Sequence, residues 1–370
     1  MKKKTVLLFN TIYPTRTGGM EVYNYRLSKN LLIEKYPEII MLLTSSVDKD
    51  NRRTFHVNKR LFGTTRWGLG MLSILISCIF SSRIRVREWK VVLIPYTSNF
   101  EYSAWPIVLF SKLFGFKYVL HCHGGSVRPW KTPKLQCLMF RNALHITAVS
   151  EKIINEYSVR TGCKIEYLPP LIDFKMSCKP KYEVFDSYAI PHYDIIILYV
   201  GSLKPLKSPE TLLKAFSDLP ETFIKEKNVG LVIAGEGELL QDLKCRYGTI
   251  QNITFLGAVK NEHIADLYLI SNIYVICSWY EGTPISLVEA MFNGLCCIGT
   301  RVQGIDAIIN NNVNGLLFEK DSSSELNQLL QKCISGQINT NKLGENAHKF
   351  YMDNFSYKNH IHQVLNLLEY

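Results

Sequence analysis

The sequence predicts an α/β protein built in two halves. Short apolar runs alternate with amphipathic stretches of helical length almost throughout the 370 residues. The alternation breaks once, between Pro169 and Tyr193, where four prolines punctuate a polar stretch. The length also suits two domains, since single domains commonly run to ~100–200 residues.

In the first half the runs Thr5–Asn10, Ile39–Thr44, Lys90–Pro95, Phe116–His121 and Leu144–Val149 read as buried strands. Helix-length segments separate most of them. Met20–Lys35 is one, with Met20, Tyr23, Leu27 and Leu31 on one face. Strands separated by helices imply parallel pairing. After the linker, strands are expected at Asp194–Val200, Gly230–Ala234, Ile253–Leu256, Ile273–Cys277, Leu295–Gly299 and Gly315–Phe318. The expected domains are 1–180 and 181–355, with a last helix in 356–370 that crosses back toward the first. Two such halves place a ligand cleft between them, at the carboxyl ends of the strands.

Composition narrows the classes. Apolar residues make up 47% and charged residues 20%, as in ordinary globular proteins. The ten cysteines are scattered, with no Cys-x-x-Cys pair, and most sit in apolar runs. They read as reduced thiols of a cytoplasmic protein, with neither a disulfide frame nor a zinc site. Met1-Lys2-Lys3-Lys4 opens like a signal peptide, but the apolar run Val6–Phe9 is too short for one.

The net charge of +11 is uneven: residues 1–180 carry +17 and the remainder −6. No nucleic-acid-binding signature accompanies the basic half, and an anionic membrane surface fits its charge as well as nucleic acid or better. Trp67–Ser82 is uncharged and flanked by arginines. It reads as a core helix, or as one dipped into an anionic bilayer, and is too short to span it. Asp48-Lys49-Asp50 reads as a solvated loop.

The most informative segment is Glu281-Gly282-Thr283-Pro284-Ile285-Ser286-Leu287-Val288-Glu289-Ala290, which follows the strand Ile273–Cys277. Thr283 is expected to cap a helix that starts at Pro284. Free backbone N–H groups at such a start form a phosphate site. Glu281 precedes the helix, and Glu289 lies on its second turn, where it can reach a ribose hydroxyl pair.

These two glutamates, with seven residues between them, resemble the signature of the family-4 retaining glycosyltransferases of GT-B fold. Other segments resemble that family in order. Tyr199–Lys207 matches its Gly-Arg-Leu-x-x-x-Lys, and Ala234-Gly235-Glu236-Gly237 its Gly-Asp-Gly turn. Phe255–Val259 matches Phe-Leu-Gly-x-Val, and Asn314–Leu317 contains Asn-Gly-Leu. Gly18-Gly19, His123-Gly124 and Ala148–Glu151 have counterparts in the first half.

The resemblance implies two Rossmann-like α/β domains facing each other across a cleft. It implies a nucleotide-diphosphate-sugar donor and a glycan acceptor, with no metal or other cofactor required. Lys207 would contact the diphosphate, Glu289 the ribose and Glu281 the transferred sugar. Val259 would meet the base, and the backbone at Gly282, Ile285 and Ser286 the phosphate. His123 would approach the sugar from the other domain, while Gly18 and Gly19 bring the first loop close to phosphate or acceptor.

Ser202 stands where the family has Arg. Lys204 or Arg128 would replace that cation; otherwise donor binding is weaker or the chain is inactive. Pro169-Pro170-Leu171-Ile172-Asp173 and Gln303-Gly304 also depart from the family pattern. The expected activity is hexosyl or N-acetylhexosaminyl transfer to a lipid-linked acceptor in bacterial capsule or O-antigen assembly, by a cytoplasmic protein peripheral to the inner membrane face. The rival readings are a non-catalytic partner subunit and an epimerase or hydrolase of the same fold.

Overall fold

The computed structural model describes residues 4–9, 27, 39–43, 54–56, 89–96, 104–123, 133–170 and 174–368. Several expected features lie outside these residues: Gly18, Gly19, Gly124, Arg128, Asp173, the Asp48-Lys49-Asp50 loop and the Trp67–Ser82 segment. The chain divides into two units, Met1–Asp173 with Tyr357–Tyr370, and Phe174–Ser356.

The first unit contains β1 (Lys4–Phe9), β2 (Ile39–Leu43), β3 (Thr54–His56), β4 (Trp89–Tyr96), α1 (Ala104–Phe114), β5 (Lys117–Cys122), α2 (Pro133–Arg141), β6 (His145–Ala148), α3 (Glu151–Thr161) and β7 (Glu166–Tyr167). The seven strands among the described residues form one sheet in the order β3-β2-β1-β4-β5-β6-β7. The pairings among them are all parallel. Parallel sheets are covered on both faces, which is why these strands are apolar runs rather than alternating ones. Val92, Ile94, Tyr118, Leu120 and Cys122 pack with Ile107, Phe110, Met139, Phe140, Ile153 and Tyr157 from α1 to α3. Val91, Leu93 and Val119 point the other way, into a second cluster.

The second unit holds α4 (Lys181–Ser187), β8 (Ile195–Val200), α5 (Pro209–Ser217), α6 (Glu221–Glu226), β9 (Val229–Ala234), α7 (Leu240–Tyr247), β10 (Ile253–Gly257), α8 (Ile264–Ile270), β11 (Ile273–Ile276), α9 (Ile285–Phe292), β12 (Cys296–Thr300), β13 (Leu316–Phe318), α10 (Ser323–Ile334) and α11 (Thr340–Asn354). Its sheet runs β10-β9-β8-β11-β12-β13, all parallel. The main cluster takes Ile197 and Tyr199 of β8, with Leu212, Phe216, Leu326 and Leu330 of α5 and α10. Ile196 and Leu198 are equally buried but lie outside that cluster, as alternation along a doubly covered strand requires.

The chain then returns as α12 (Tyr357–Leu367), which belongs to the first unit. Ile361, Val364, Leu365 and Leu368 join Val91, Leu93, Val119 and Leu27 in the second cluster of that sheet. Burying each such side chain contributes roughly 1.5–3 kcal/mol.

The stretch expected to be a linker differs from expectation. Residues 181–187 form α4, preceded by Pro180 at its cap. Val184 and Phe185 are buried, and α4 packs on α8. Two apolar residues among charged neighbours carry too little periodicity to announce a helix. The strands β3 and β7 were likewise unexpected, being three and two residues long.

Candidate functional site

In the second sheet the strand order reverses between β8 and β11. Ligands of open parallel sheets bind outside the carboxyl ends of the strands at such a reversal. The parallel register puts the loops after β8, β9, β10 and β11 at one edge. Ser202 and Lys207 follow β8, Val259 follows β10, and Glu281 and Gly282 follow β11.

The reversal brings Lys207 and Glu281 into contact. Lys207 Nζ lies 2.5 Å from Glu281 Oε1, with the lysine side chain 30% and the glutamate 10% exposed. Ser278 Oγ donates to the same carboxylate oxygen at 2.6 Å. Ser278 is itself buried, and its carbonyl accepts a 2.6 Å bond from Thr300 Oγ1. The two loops are also tied through the backbone, Trp279 N–H donating to the Leu206 carbonyl at 2.9 Å. Exposed Trp279 further donates Nε1–H to Asp321, which also accepts from Ser208 Oγ at 3.4 Å. A half-buried cation is thus held in place next to a carboxylate by three loops.

The glycines explain how the loops come so close. Gly235 has φ +153°, and a Cβ there would sit 1.8 Å from the Gly201 carbonyl oxygen. A Cβ on Gly237 would meet the Leu203 carbonyl at 2.2 Å. With no side chain at either position, Leu203 N–H reaches the Glu236 carbonyl at 2.8 Å and the loop carrying Ser202 and Lys207 is fixed on β9. On the other side, Gly304 (φ +93°) would place a Cβ 2.3 Å from the Glu281 carbonyl oxygen. Glu281 N–H donates to Gln303 at 3.3 Å.

The helix start differs from expectation. Pro284 is the cap rather than the first helical residue, and α9 begins at Ile285. Proline has no side-chain acceptor, so the cap residue satisfies no amide through its side chain. Leu287 and Val288 donate to the Pro284 carbonyl. The N–H groups of Ile285 and Ser286 have no partner within the helix. They define an anion-favouring end beside Gly282, which is exposed and has nothing within 4 Å of a built Cβ.

Glu289 is half-buried, and its Oε2 accepts a 3.1 Å bond from Tyr268. Tyr268 also lies 3.0 Å from the Ser286 carbonyl, and Tyr274 donates to Ser286 Oγ at 2.7 Å. Burial pushes both phenols up, with the Glu289 charge adding to the effect at Tyr268, so both stay protonated donors. Ser202 is half-buried, and its carbonyl accepts from Tyr199 at 3.3 Å. Val259 is half-buried, two residues beyond the edge strand β10.

His123 belongs to the first unit and follows the carboxyl end of β5. It is 7% exposed, and its ring stands edge-on to His121, centroids 4.4 Å apart. Burial first, then the charge of His360, hold its pKa down at about 3, so the imidazole is neutral near pH 7. His121 bonds Thr147 Oγ1 at 2.8 Å. His360 of α12 bonds the Pro169 backbone and is held down to about 3 by burial. Among the described residues no group of three or more His, Cys, Asp or Glu side chains is arranged to hold a metal ion.

Ser278, Tyr268 and Tyr274 escaped the sequence reading. Ser278 was within reach of it, three residues before Glu281. The tyrosines lie on other elements and reach α9 only in the fold.

Residues 181–350 match the family model for glycosyl transferases group 1. That match lies within the second unit, Phe174–Ser356. An uncharacterized glycosyltransferase of Methanocaldococcus jannaschii is 23% identical across all of this chain and 99% of its own length. An N-acetyl-D-galactosaminyltransferase of Campylobacter jejuni, named for an undecaprenol-diphosphate-linked substrate, is 26% identical over 61% of this chain and 60% of its own. An Escherichia coli UDP-Gal:α-D-GlcNAc-diphosphoundecaprenol galactosyltransferase is 32% identical over 37% of this chain and 36% of its own. Among solved structures, a Rickettsia africae glycosyltransferase superposes with TM-score 0.76 at 18% identity, covering 100% of this chain and 98% of that one. The Anabaena protein HepE, crystallised with UDP, gives TM-score 0.72 at 16% identity over 99% of both chains. The chain therefore has the GT-B fold, with two parallel α/β units.

Proposed function

We propose that this glycosyltransferase moves a hexosyl or N-acetylhexosaminyl group from a nucleoside-diphosphate-sugar to a lipid-linked glycan. The transfer retains anomeric configuration and serves bacterial surface polysaccharide assembly. One observation carries the donor part: the Lys207–Glu281 pair stands at the sheet's reversal, with Glu281 on the loop that leads into the helix starting at Ile285. The lysine and the amides neutralise the departing diphosphate where its charge grows. Glu281 faces the sugar and Glu289 holds the ribose. Val259 and its backbone border the base, and Gly282 leaves room for phosphate. In this reading the bond from the anomeric carbon to the diphosphate breaks, the acceptor hydroxyl attacks from the same face, and the diphosphate takes its proton. Cationic side chains and amides supply the neutralisation, so no metal is needed. His123, a neutral imidazole, acts as a hydrogen-bonding group toward the sugar. The lipid-linked acceptor is supported by the substrates for which the Campylobacter and Escherichia relatives are named.

Ser202 favours a second reading, a partner subunit that binds donor poorly, because serine offers no bidentate contact to a diphosphate. Calorimetric titration with UDP-, GDP-, ADP- and dTDP-sugars separates the two. Micromolar binding of one donor, lost by on the order of a hundredfold in Lys207→Ala with Glu289→Ala, supports the enzyme. Undiminished binding in that double variant removes the site, and no binding of any donor leaves the partner reading.

A further inference from the structure

The helices that cover the first sheet carry an outer face that no other described element accounts for. On α1, Leu109 and Leu113 are one turn apart and 44% and 65% exposed, with exposed Lys112 beside them. On α2, Lys134, Leu138 and Arg141 follow one another at helical spacing and are all exposed. The two helices pack against each other and insert Ile107, Phe110, Met139 and Phe140 into the same core. Their outward residues therefore lie on one side of the sheet. Neither helix contains an aspartate or glutamate. Such a surface, leucines interleaved with cations and free of carboxylates, lies inside the half of the chain that carries +17.

Exposed leucines alone would fit any apolar partner. The charge narrows the occupant. An acyl-chain boundary accepts the leucines while its anionic headgroups meet the cations, whose long stems reach outward from the apolar plane. A second copy of this chain would bring cations against cations at the same patch. We propose that the α1–α2 face docks the enzyme flat on an anionic bilayer, with Leu109, Leu113 and Leu138 entering the headgroup layer. The proposal deepens the reading of a lipid-linked acceptor: it names the surface that holds the catalyst where that acceptor resides. It does not depend on the Trp67–Ser82 segment, and among the described residues no helix is long and apolar enough to cross a membrane.

Flotation with phosphatidylcholine vesicles, and with vesicles that also contain phosphatidylglycerol, tests it at low salt. The expected result is binding only to the anionic vesicles. Each cation near such a surface favours binding by on the order of fivefold, so K112E/K134E/R141E should weaken it by at least ~100-fold. L109S/L113S/L138S should weaken it also, at unchanged charge. Both variants should melt as the parent does and titrate with donor as the parent does, because none of the six residues lies in the donor site. Equal binding to both vesicle types, no binding by the parent, or undiminished binding by both variants overturns the proposal. So does light scattering that shows a parent dimer split by the leucine variant. A parent that binds donor but no vesicle sinks this inference alone, and one that floats but binds no donor sinks only the donor reading.

Discussion

Tyr268 shows what a single hydroxyl contributes at the candidate site. It reaches from α8 to both Glu289 Oε2 and the Ser286 carbonyl, so it sets the position of the acid and of the helix start together. Tyr268→Phe keeps the ring in its buried place and removes only that donor. A hydrogen bond to a charged group is worth about 1.5–3 kcal/mol. If Glu289 grips the ribose, the donor KM rises at least about tenfold while kcat changes little. Steady-state kinetics at varied donor concentration reads the split, and a fall in kcat at constant KM would move Glu289 away from the ribose. The same logic applies to Ser278, whose hydroxyl fixes the oxygen of Glu281 that faces Lys207.

At the scale of elements, the loops rather than the helices set the precision of the site. Gly304→Ala puts a methyl 2.3 Å from the Glu281 carbonyl oxygen at a φ of +93°. Backbone strain of this kind costs about 1–3 kcal/mol. Urea denaturation should show a loss of that size, together with weaker donor binding. Gly282→Ala, whose added methyl would meet nothing within 4 Å, should leave the denaturation midpoint unchanged. The contrast explains what the sequence disclosed. Central strands such as β8, β9 and β11 are unbroken apolar runs because both of their faces are covered, so their limits were legible to about a residue. The edge strands β3 and β7 and the short helix α4 were not, since none is long enough to show a period. Lys207 and Glu281 were visible through the spacing of a known signature. Their contact was not, because it depends on two loops 74 residues apart meeting at the sheet's reversal.

For the whole molecule, the histidines of the first unit link stability to pH. His121, His123 and His360 are buried, and burial holds all three imidazoles well below their usual value of 6.5. The unfolded chain therefore binds protons between that value and about 3, where the folded chain does not. Stability is complete above pH ~6.5 and falls as the pH drops toward the folded values. At pH 5.5 the loss is about 1 kcal/mol per histidine. Melting temperatures measured from pH 7.5 to 5 should decline below pH ~6.5, and His360→Gln should flatten the decline. A flat profile in the parent would mean that these rings are solvated or already protonated in the folded state.

The return of α12 to the first sheet also has a bearing on how the molecule is made. Residues 1–173 are synthesised long before residues 357–370, yet Val91, Leu93 and Val119 are covered by the latter. Ribosomal synthesis runs at ≈5–20 residues per second, so that apolar surface lacks its α12 cover for about ten seconds or more while the second unit emerges. The half that is translated first is thus the last to mature, and a nascent chain halted before α12 would leave part of that sheet face uncovered and open to the cell's chaperones.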